Sequence, residues 1–428
     1  IQWSYQLLNN AEQMFFRNLG VFVDGCTLEA ARSVCQSQHD IVLMLSRLAG
    51  MNLIKPDVVN DRTSRYRMLE IIRQFARHEL KIAGEWQDIQ AEHATYFHAF
   101  ALAHEEAVRS NGQIAGLEVV EREHTNLQAT LDYFIASQNW EKGLELIGAL
   151  SEFWVYRNHI LVGLNYTTTL LDQTVNEPAL ELSRARALNS AAMLSYFAGD
   201  FPAVGSYAQA GLASAYAAQS DRDIARACIT LGMQSGGMGN FEAAVRYFEQ
   251  GIAAIGEEHL RWEMSSLLNG LGEVARSQCH YEESLEYYTR ALDMSEGMGN
   301  LWLSAHILDN MGHTVYSQGL YDIASDYIRR SMKASITLGD ERGIAMCLEK
   351  LGGIAIAQKQ VEFAARMLGA AQALREAKNT PIEGMDAADY QRIVQQLREQ
   401  LDADMLEVKW IEGRRTPLSH LFEQILKN

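Results

Sequence analysis

The chain is poor in proline, lacks any paired-cysteine motif and has no long apolar run, and each shortage narrows the reading. Proline occurs 5 times in 428 residues against 31 glycines, which suits helices punctuated by turns, because proline breaks helix interiors and glycine ends them. No window approaches the roughly 18 consecutive apolar residues that a membrane span needs, so no membrane partner is expected. The cysteines Cys26, Cys35, Cys228, Cys279 and Cys347 form no CxxC and leave one over; they read as reduced, mostly buried thiols of a cytoplasmic protein. No signal peptide opens the chain, and residue 1 is Ile rather than Met, so the chain is expected to be a piece of something longer.

Motifs that carry chemistry are missing as well. No GxxxxGK[ST] is present, and the glycine-rich Ser235–Gly239 lacks the preceding strand and the lysine that phosphate cradling requires. His93, His98 and His104 share a stretch with Glu105 and Glu106, but their spacing is not the His-Glu-x-x-His that binds zinc, and a structural role is expected. No Gly-x-Ser-x-Gly elbow or Cys/His signature supports nucleophilic catalysis. The expectation is a chain with no catalytic residues, no metal and no cofactor of its own. Excess positive charge is absent too: the net charge is −17. Residues 1–85 carry 10 Lys/Arg and 9 Asp/Glu, leaving the remainder at −18, a balance that disfavours a polyanion, since phosphate neutralisation dominates nucleic-acid affinity.

What is present is a period of 40 residues. Leu231-Gly232, Leu271-Gly272, Met311-Gly312 and Leu351-Gly352 fall in phase, with Ala191-Ala192 before them. Phe201, Phe241, Tyr281, Tyr321 and Val361 follow ten positions on, then Val204, Ala244, Ser284, Ala324 and Ala364, and Tyr207, Tyr247, Tyr287 and Tyr327 keep the register. Apolar residues recur at helical spacing on both sides of breaks such as Gly199-Asp200, Gly239-Asn240 and Gly319-Leu320, so each unit is two amphipathic helices joined by a tight turn. Small residues are expected where helix backbones approach, with the aromatics filling the wedge beside them. This pattern resembles the tetratricopeptide (TPR) family, lengthened from 34 to 40 residues. The resemblance implies an all-α, right-handed TPR-like α-solenoid that presents a groove lined by the first helix of each pair.

Residues 1–85 read as a separate small domain. Helical spacing covers Trp3–Leu8 and Glu12–Leu19, Thr27 is placed to cap a helix, and Ile41–Ala49 is a third helix stopped by Gly50. Leu53–Pro56 and Ser64–Met68 flank a polar turn at Asn60-Asp61-Arg62 as a small β-hairpin, and a last helix runs from Leu69 to about Ile82. Helices followed by a hairpin make a winged helix. Helices are then expected near 87–108, 118–137, 141–157 and 160–174, as degenerate repeats and bridging helices over 86–182. Five 40-residue repeats cover 183–377. The phase is lost after Lys378, and a helical cap over 378–428 has helices near 386–401, 404–412 and 417–427.

The N-terminal stretch with "WSYQLLNNAEQMFFRNLGVFVDGCTLEAARSVC" and "RYRMLEIIRQFARHEL" resembles the winged-helix module of bacterial NB-ARC-type ATPases of the STAND class. "EHTNLQATLDYFIASQNWEKGLELIGALSEFW" and "FAARMLGAAQALREAKNTPI" continue the resemblance. It implies an upstream ATPase domain, with ATP or ADP and Mg bound there, as this chain's partner within one polypeptide. It also implies a signalling role in which the array senses a protein or peptide ligand, and it leaves oligomerisation of the full-length protein open. In many members the segment matching Met68-Leu69-Glu70 reads Met-His-Asp, and its His contacts ADP. Leu69 stands at that position here, with Arg65, Arg67 and Arg73 as weak substitutes. A constitutive TPR scaffold is the alternative. DNA binding through the winged helix trails, although Arg62, Arg65, Arg67, Arg73 and Arg77 lie near the wing.

Mapped through the repeat, groove-facing positions fall on Arg186, Asn189 and Met193; on Arg226, Ile229 and Met233; on Ser266, Asn269, Glu273 and Arg276; on His306, Asp309 and His313; and on Met346 and Glu349. Cations lead, and acids and histidines follow. Arg186, Asn189 and Arg226 loosely imitate the clamp by which some TPR domains hold a terminal carboxylate. For any one of these the alternative is a solvated helix face; together they mark the partner groove. Without a P-loop, and with Leu69 in place of histidine, the chain is expected to hydrolyse no ATP and to bind ADP only weakly. Titration calorimetry of the chain with ADP checks this, and micromolar affinity would contradict it.

Overall fold

A left-handed backbone conformation recurs every 40 residues, at Gly199, Gly239, Cys279, Gly319 and Lys359, with φ of 79°, 77°, 63°, 77° and 64°. The computed structural model, which describes all residues except 37–39, 61–62, 176, 257–259, 379–381, 383–384 and 428, thus repeats in its turns as the sequence does in its side chains. Glycine enters this region without steric cost, and any other residue pays roughly 1–2 kcal/mol. Three glycines in five therefore made the turn visible in the sequence, while Cys279 and Lys359 hid it.

The chain divides into two units: residues 1–105 with 118–150, and residues 106–117 with 151–428. The first unit opens with α1 (Gln2–Gln6) and α2 (Asn10–Leu19), the latter started by a capping box between Asn9 and Glu12. A short β1 (Cys26–Thr27) leads into α3 (Leu28–Cys35), where Thr27 accepts the Ala30 N–H as expected of an N-cap. Then come α4 (Ile41–Gly50), β2 (Lys55–Asn60), β3 (Thr63–Arg67) and α5 (Glu70–Ile82). The hairpin β2–β3 is the expected one. The strand β1 is an addition, pairing antiparallel with β3 through Cys26–Tyr66 and Thr27–Arg65 to give the order β1-β3-β2. Two residues carry no periodicity, so only their pairing partner makes them a strand. Phe15, Phe16, Leu45, Leu48 and Leu80 are fully or almost fully buried in this unit.

Long helices follow: α6 (Trp86–Arg109), α7 (Gln113–Ala136) and α8 (Trp140–Tyr156). In the second unit, α9 (Ile160–Gln173) and a 3₁₀ turn at Pro178–Leu180 precede five helix pairs. These are α10 (Glu181–Ala198) with α11 (Phe201–Ala217), α12 (Asp221–Gly237) with α13 (Phe241–Ile255), and α14 (Arg261–Ser277) with α15 (Tyr281–Met298). The series continues through α16 (Leu301–Ser317) with α17 (Tyr321–Leu338) and α18 (Glu341–Ala357) with α19 (Val361–Lys378). This is a TPR-like α-helical array. Its caps also keep step: Ser220, Asn300 and Asp340 open first helices, and Asp200 and Asn240 open second helices, each accepting a backbone N–H three residues on. Last come α20 (Met385–Gln400), α21 (Ala403–Arg415) and α22 (Leu418–Lys427). Leu397, Leu421 and Ile425 join Ile354, Leu368 and Ala371 in one buried cluster. The final pair's apolar face is thereby covered, as an array requires at its end.

Within each pair the packing is a knob set into a hole. A Cβ added to Gly232 would lie 2.3 Å from the Phe248 ring, and one added to Gly272 would lie 2.6 Å from the Tyr288 ring. At Gly312 it would meet Ile328 at 2.5 Å, and at Gly352 it would meet Leu368 at 3.1 Å. Hole and knob are always sixteen positions apart. This corrects the expectation that Tyr207, Tyr247, Tyr287 and Tyr327 fill the wedge. One residue is a turn of about 100° on a helix, so the neighbours at 248, 288, 328 and 368 enter the holes. The four tyrosines stay half-buried and pack against the edges of successive core clusters.

Gly272→Leu drives a branched side chain into the Tyr288 ring and is expected to lower stability by about 1–3 kcal/mol, the usual range for overpacking. Gly237→Ala, where nothing lies within 4 Å of the added Cβ, should leave the melting temperature level or slightly raised. Thermal unfolding followed by circular dichroism distinguishes the two, and equal melting of Gly272→Leu and the parent would contradict the hole.

Candidate functional site

The second unit encloses a cavity of about 1200 Å³. Its wall is built from the first helices of the five pairs, α10, α12, α14, α16 and α18, together with the last turns of α8 from Ser151 onward. The period of 3.6 residues explains the selection. A first helix gives one stripe to the knob-and-hole seam, and the next stripe, at positions such as Asn189, Ile229, Asn269 and Asp309, turns toward the cavity.

Most residues mapped from the repeat line this cavity: Asn189, Met193, Arg226, Ile229, Met233, Ser266, Asn269, Glu273, Arg276, His306, Asp309, His313 and Met346. Arg186 and Glu349 do not. Arg186 Nε lies 3.8 Å from Asp223. Glu349 is buried, accepts from Arg375 Nε and Nη2 at 2.6 and 2.7 Å, and lines a small adjoining cavity of about 50 Å³.

The structure corrects the picture of a solvated polar face. Arg226 is sunk between two carboxylates, with Glu152 at 2.9 Å and Glu263 at 3.0 Å, and its guanidinium lies 5.2 Å from the centre of the Trp262 ring. Asn189 is buried and donates through Nδ2 to the Asp223 carbonyl at 2.9 Å. The loose clamp of Arg186, Asn189 and Arg226 is therefore turned onto the protein's own acids. Buried charges must be paired to be tolerated, and sequence spacing cannot tell a groove cation from a buried one. Further along, Glu273 accepts from Arg276 and, at 3.0 Å, from the Tyr288 hydroxyl; Asp309 accepts from Lys350. Asn269 accepts from Asn310 at 3.0 Å, and the His306 ring sits 4.1 Å from the Trp302 ring.

Several lining residues were outside the sequence reading. Trp262 and Trp302 are 40 apart and could have been found by extending the register. Glu152 and Tyr156 could not, because α8 lies outside the regular repeats. Yet α8 reaches across the wall: Glu152 meets Arg109 at 2.7 Å as well as Arg226, and the Tyr156 hydroxyl accepts from Trp262 Nε1 at 3.2 Å. The Tyr156 ring also stands 4.6 Å from Trp302, and Arg157 donates to the Leu338 carbonyl at 3.0 Å.

These surroundings set the ionisation. Burial alone would raise Glu152, but Arg109 and Arg226 outweigh it and hold the carboxyl at about 2. Burial, only partly offset by Asp340, and the charges of Arg342 and Lys350 bring His306 down to about 4. Burial with Lys350 and Arg276 brings His313 to about 3. Both imidazoles are neutral at pH 7.

In the first unit, Leu69 stands exposed at the N-cap of α5, Met68 is half-buried, and Glu70 accepts from Arg73 at 2.8 and 2.9 Å. Arg65 is buried and donates to Glu123, while Arg67 pairs with Asp24 at 3.3 Å and Asp57 at 3.6 Å. Arg62 lies outside the described residues. The histidines of α6 have structural partners: His93 with Asn126 at 3.3 Å, His98 with Glu145 at 3.0 Å, and His104 with the Phe100 carbonyl at 2.8 Å. No helix among the described residues is long and apolar enough to cross a membrane.

No family model matches the chain. Over 208 residues, 47% of the chain, it is 32% identical to a Mycobacterium tuberculosis protein provisionally named an HTH-type transcriptional regulator, and equally to one from Mycobacterium bovis. The match spans 23% of those proteins' length. Among solved structures, the chain is similar to a Signal Transduction ATPase with Numerous Domains (STAND) protein with a tetratricopeptide repeat sensor from Pyrococcus horikoshii. That likeness has 15% identity, covers 99% of this chain and 65% of that one, and has a TM-score of 0.45. It is also similar to a tetratricopeptide repeat protein from Parabacteroides merdae, at 14% identity over 65% of this chain and 97% of that one, TM-score 0.41.

The neutral histidines give a pH signature. An unfolded histidine titrates near 6.5, whereas His306 and His313 stay unprotonated in the fold until about 4 and 3. The unfolded chain therefore binds more protons between those values, and stability falls as pH drops below about 6.5. Thermal melts from pH 7 to 4 should show this fall, and the double variant His306→Asn, His313→Asn should flatten it. An unchanged slope in the variant would contradict the assignment.

Proposed function

We propose that this chain is the ligand- or partner-sensing arm of a STAND-type signalling ATPase of the NB-ARC kind. The inner face of the array receives a peptide or protein. The first 85 residues, read as a winged helix, relay its occupancy to the ATPase domain that the family resemblance implies. The observation that carries this reading is the shared wall: five consecutive first helices and the end of α8 border one cavity. A ligand held there touches several pairs at once, so its binding energy can favour one arrangement of them over another, which is what a two-state switch requires. Nothing among the mapped residues has the geometry of a catalytic group, and hydrolysis is assigned to the ATPase domain alone.

The name of the mycobacterial relatives favours a second reading, a DNA-binding regulator. The first unit's arginines argue against DNA contact through its wing, since Arg65 is buried on Glu123 and Arg67 and Arg73 face acids. Its exposed apolar residues, among them Trp3, Leu7, Ile71 and Ile82, suit packing against another protein domain better than a phosphate backbone.

Asn269 and Asn310 hydrogen-bond each other, so removing both as Ala leaves neither amide orphaned, and stability should stay within about 0.5 kcal/mol. Affinity for a partner captured by the full-length protein should fall about tenfold or more, equivalent to about 1.4 kcal/mol. The titration is run with ADP and with a non-hydrolysable ATP analogue. Affinity that differs between the nucleotides supports the sensor, equal affinity supports a constitutive scaffold, and an unchanged double variant removes the inner face from the binding site.

A further inference from the structure

The cavity wall has the opposite charge balance from the protein around it. Beyond residue 85 the chain carries a net −18, yet the lining holds five cationic side chains against three carboxylates. Each of those carboxylates is already ion-paired, Glu152 with Arg109 and Arg226, Glu273 with Arg276, and Asp309 with Lys350. Asp340, which faces the same end, accepts the Gly343 N–H at 3.0 Å as the N-cap of α18. The positive surplus is therefore not consumed by the acids on the wall. Beside it lies an apolar surface of unusual make-up. Tyr156, Trp302 and His306 form a run of contacting rings at 4.6 and 4.1 Å, Phe197 stands edge-on to Trp302 at 6.0 Å, and Arg342 lies 4.7 Å from the Phe197 ring centre. Met193 and Met233 complete it, and methionine adapts to varied apolar shapes.

The end of α8 bounds one side of this space, because Tyr156 bridges to both Trp262 and Trp302. That seat, which a partner's helix would need along the inner face, is taken by the chain itself. What remains has the volume and composition of a small-molecule site: mostly aromatic and apolar walls with a few convergent polar groups.

We propose that this cavity binds a compact organic anion, an aromatic or branched apolar body bearing a carboxylate, with the body against Trp302, Phe197 and the two methionines and the charge toward Arg342 and Lys350. The proposal rests on the inner face being the recognition surface, but not on the sensed partner being a protein. A neutral ligand of the same shape would gain the ring contacts and forgo the field; a cation would meet like charge.

The test uses the full chain and three isosteric probes: 1-naphthoate, 1-naphthalenemethanol and 1-naphthylmethylammonium, followed by tryptophan fluorescence and calorimetry. Naphthoate should bind at least about tenfold more tightly than either of the others, and its affinity alone should fall with added salt. Arg342→Gln and Arg342→Glu should weaken naphthoate stepwise while leaving the alcohol unchanged, which also shows that the cavity is intact. Met193→Gln with Met233→Gln should weaken naphthoate and alcohol alike. Equal affinity for the three probes, an Arg342 effect on the alcohol as large as on naphthoate, or no binding of naphthoate up to its solubility overturns the proposal. If naphthoate fails while partner binding still depends on Asn269 and Asn310, the recognition surface stands and only the ligand chemistry falls.

Discussion

The array depends on the contact between a glycine in the first helix of a pair and the side chain sixteen residues later. At Gly232, Gly272, Gly312 and Gly352 the missing Cβ lets Phe248, Tyr288, Ile328 and Leu368 enter the space against the facing helix. This contact fixes the rotation of both helices about their axes. Once that stripe is committed to the seam, the helical period decides which residues face the next pair and which face the cavity. A protein interior is packed as densely as a crystal, so the seam leaves little freedom elsewhere. Positions as different as Asn189, Ile229, Asn269 and Asp309 share the wall because their glycine or alanine neighbours share the seam.

Charge is organised on top of that packing. Arg226 with Glu152 and Glu263, Glu349 with Arg375, and Asp309 with Lys350 are ion pairs with at least one buried partner. Such pairs add little net stability, since desolvation offsets the attraction, but an arrangement that separates them leaves charges stranded. They therefore discriminate between arrangements more than they strengthen the one observed. Because Glu152 belongs to α8 and Arg226 to α12, the network ties the helix before the regular repeats to the wall. A wall held this way can respond as a body to what occupies it, whereas independent solvated side chains would respond one at a time.

The first unit uses the same device on a smaller scale. Arg65, on β3, donates to the Asp24 and Gly25 carbonyls and to Glu123 of α7, and Asn126 beside Glu123 donates to the Gly25 carbonyl. An arginine that looks like a candidate for phosphate contact is thereby used to hold a loop, a strand and a helix together.

The sequence by itself determined the helix pairs, their register of 40, the β-hairpin, the cap at Thr27 and the positions that line the cavity. All of these follow from local periodicity and turn chemistry. It did not determine β1, which is a strand only because Tyr66 and Arg65 pair with it. It placed the wedge one residue off, because a one-residue step on a helix changes the face without changing the spacing. Above all, it could not separate Arg226 and Asn189, buried on the protein's own acids, from side chains free to meet a ligand. The burial of a charge depends on what comes near it from elsewhere in the chain, and Glu152, 74 positions away and outside the repeat, is visible beside Arg226 only in the tertiary structure.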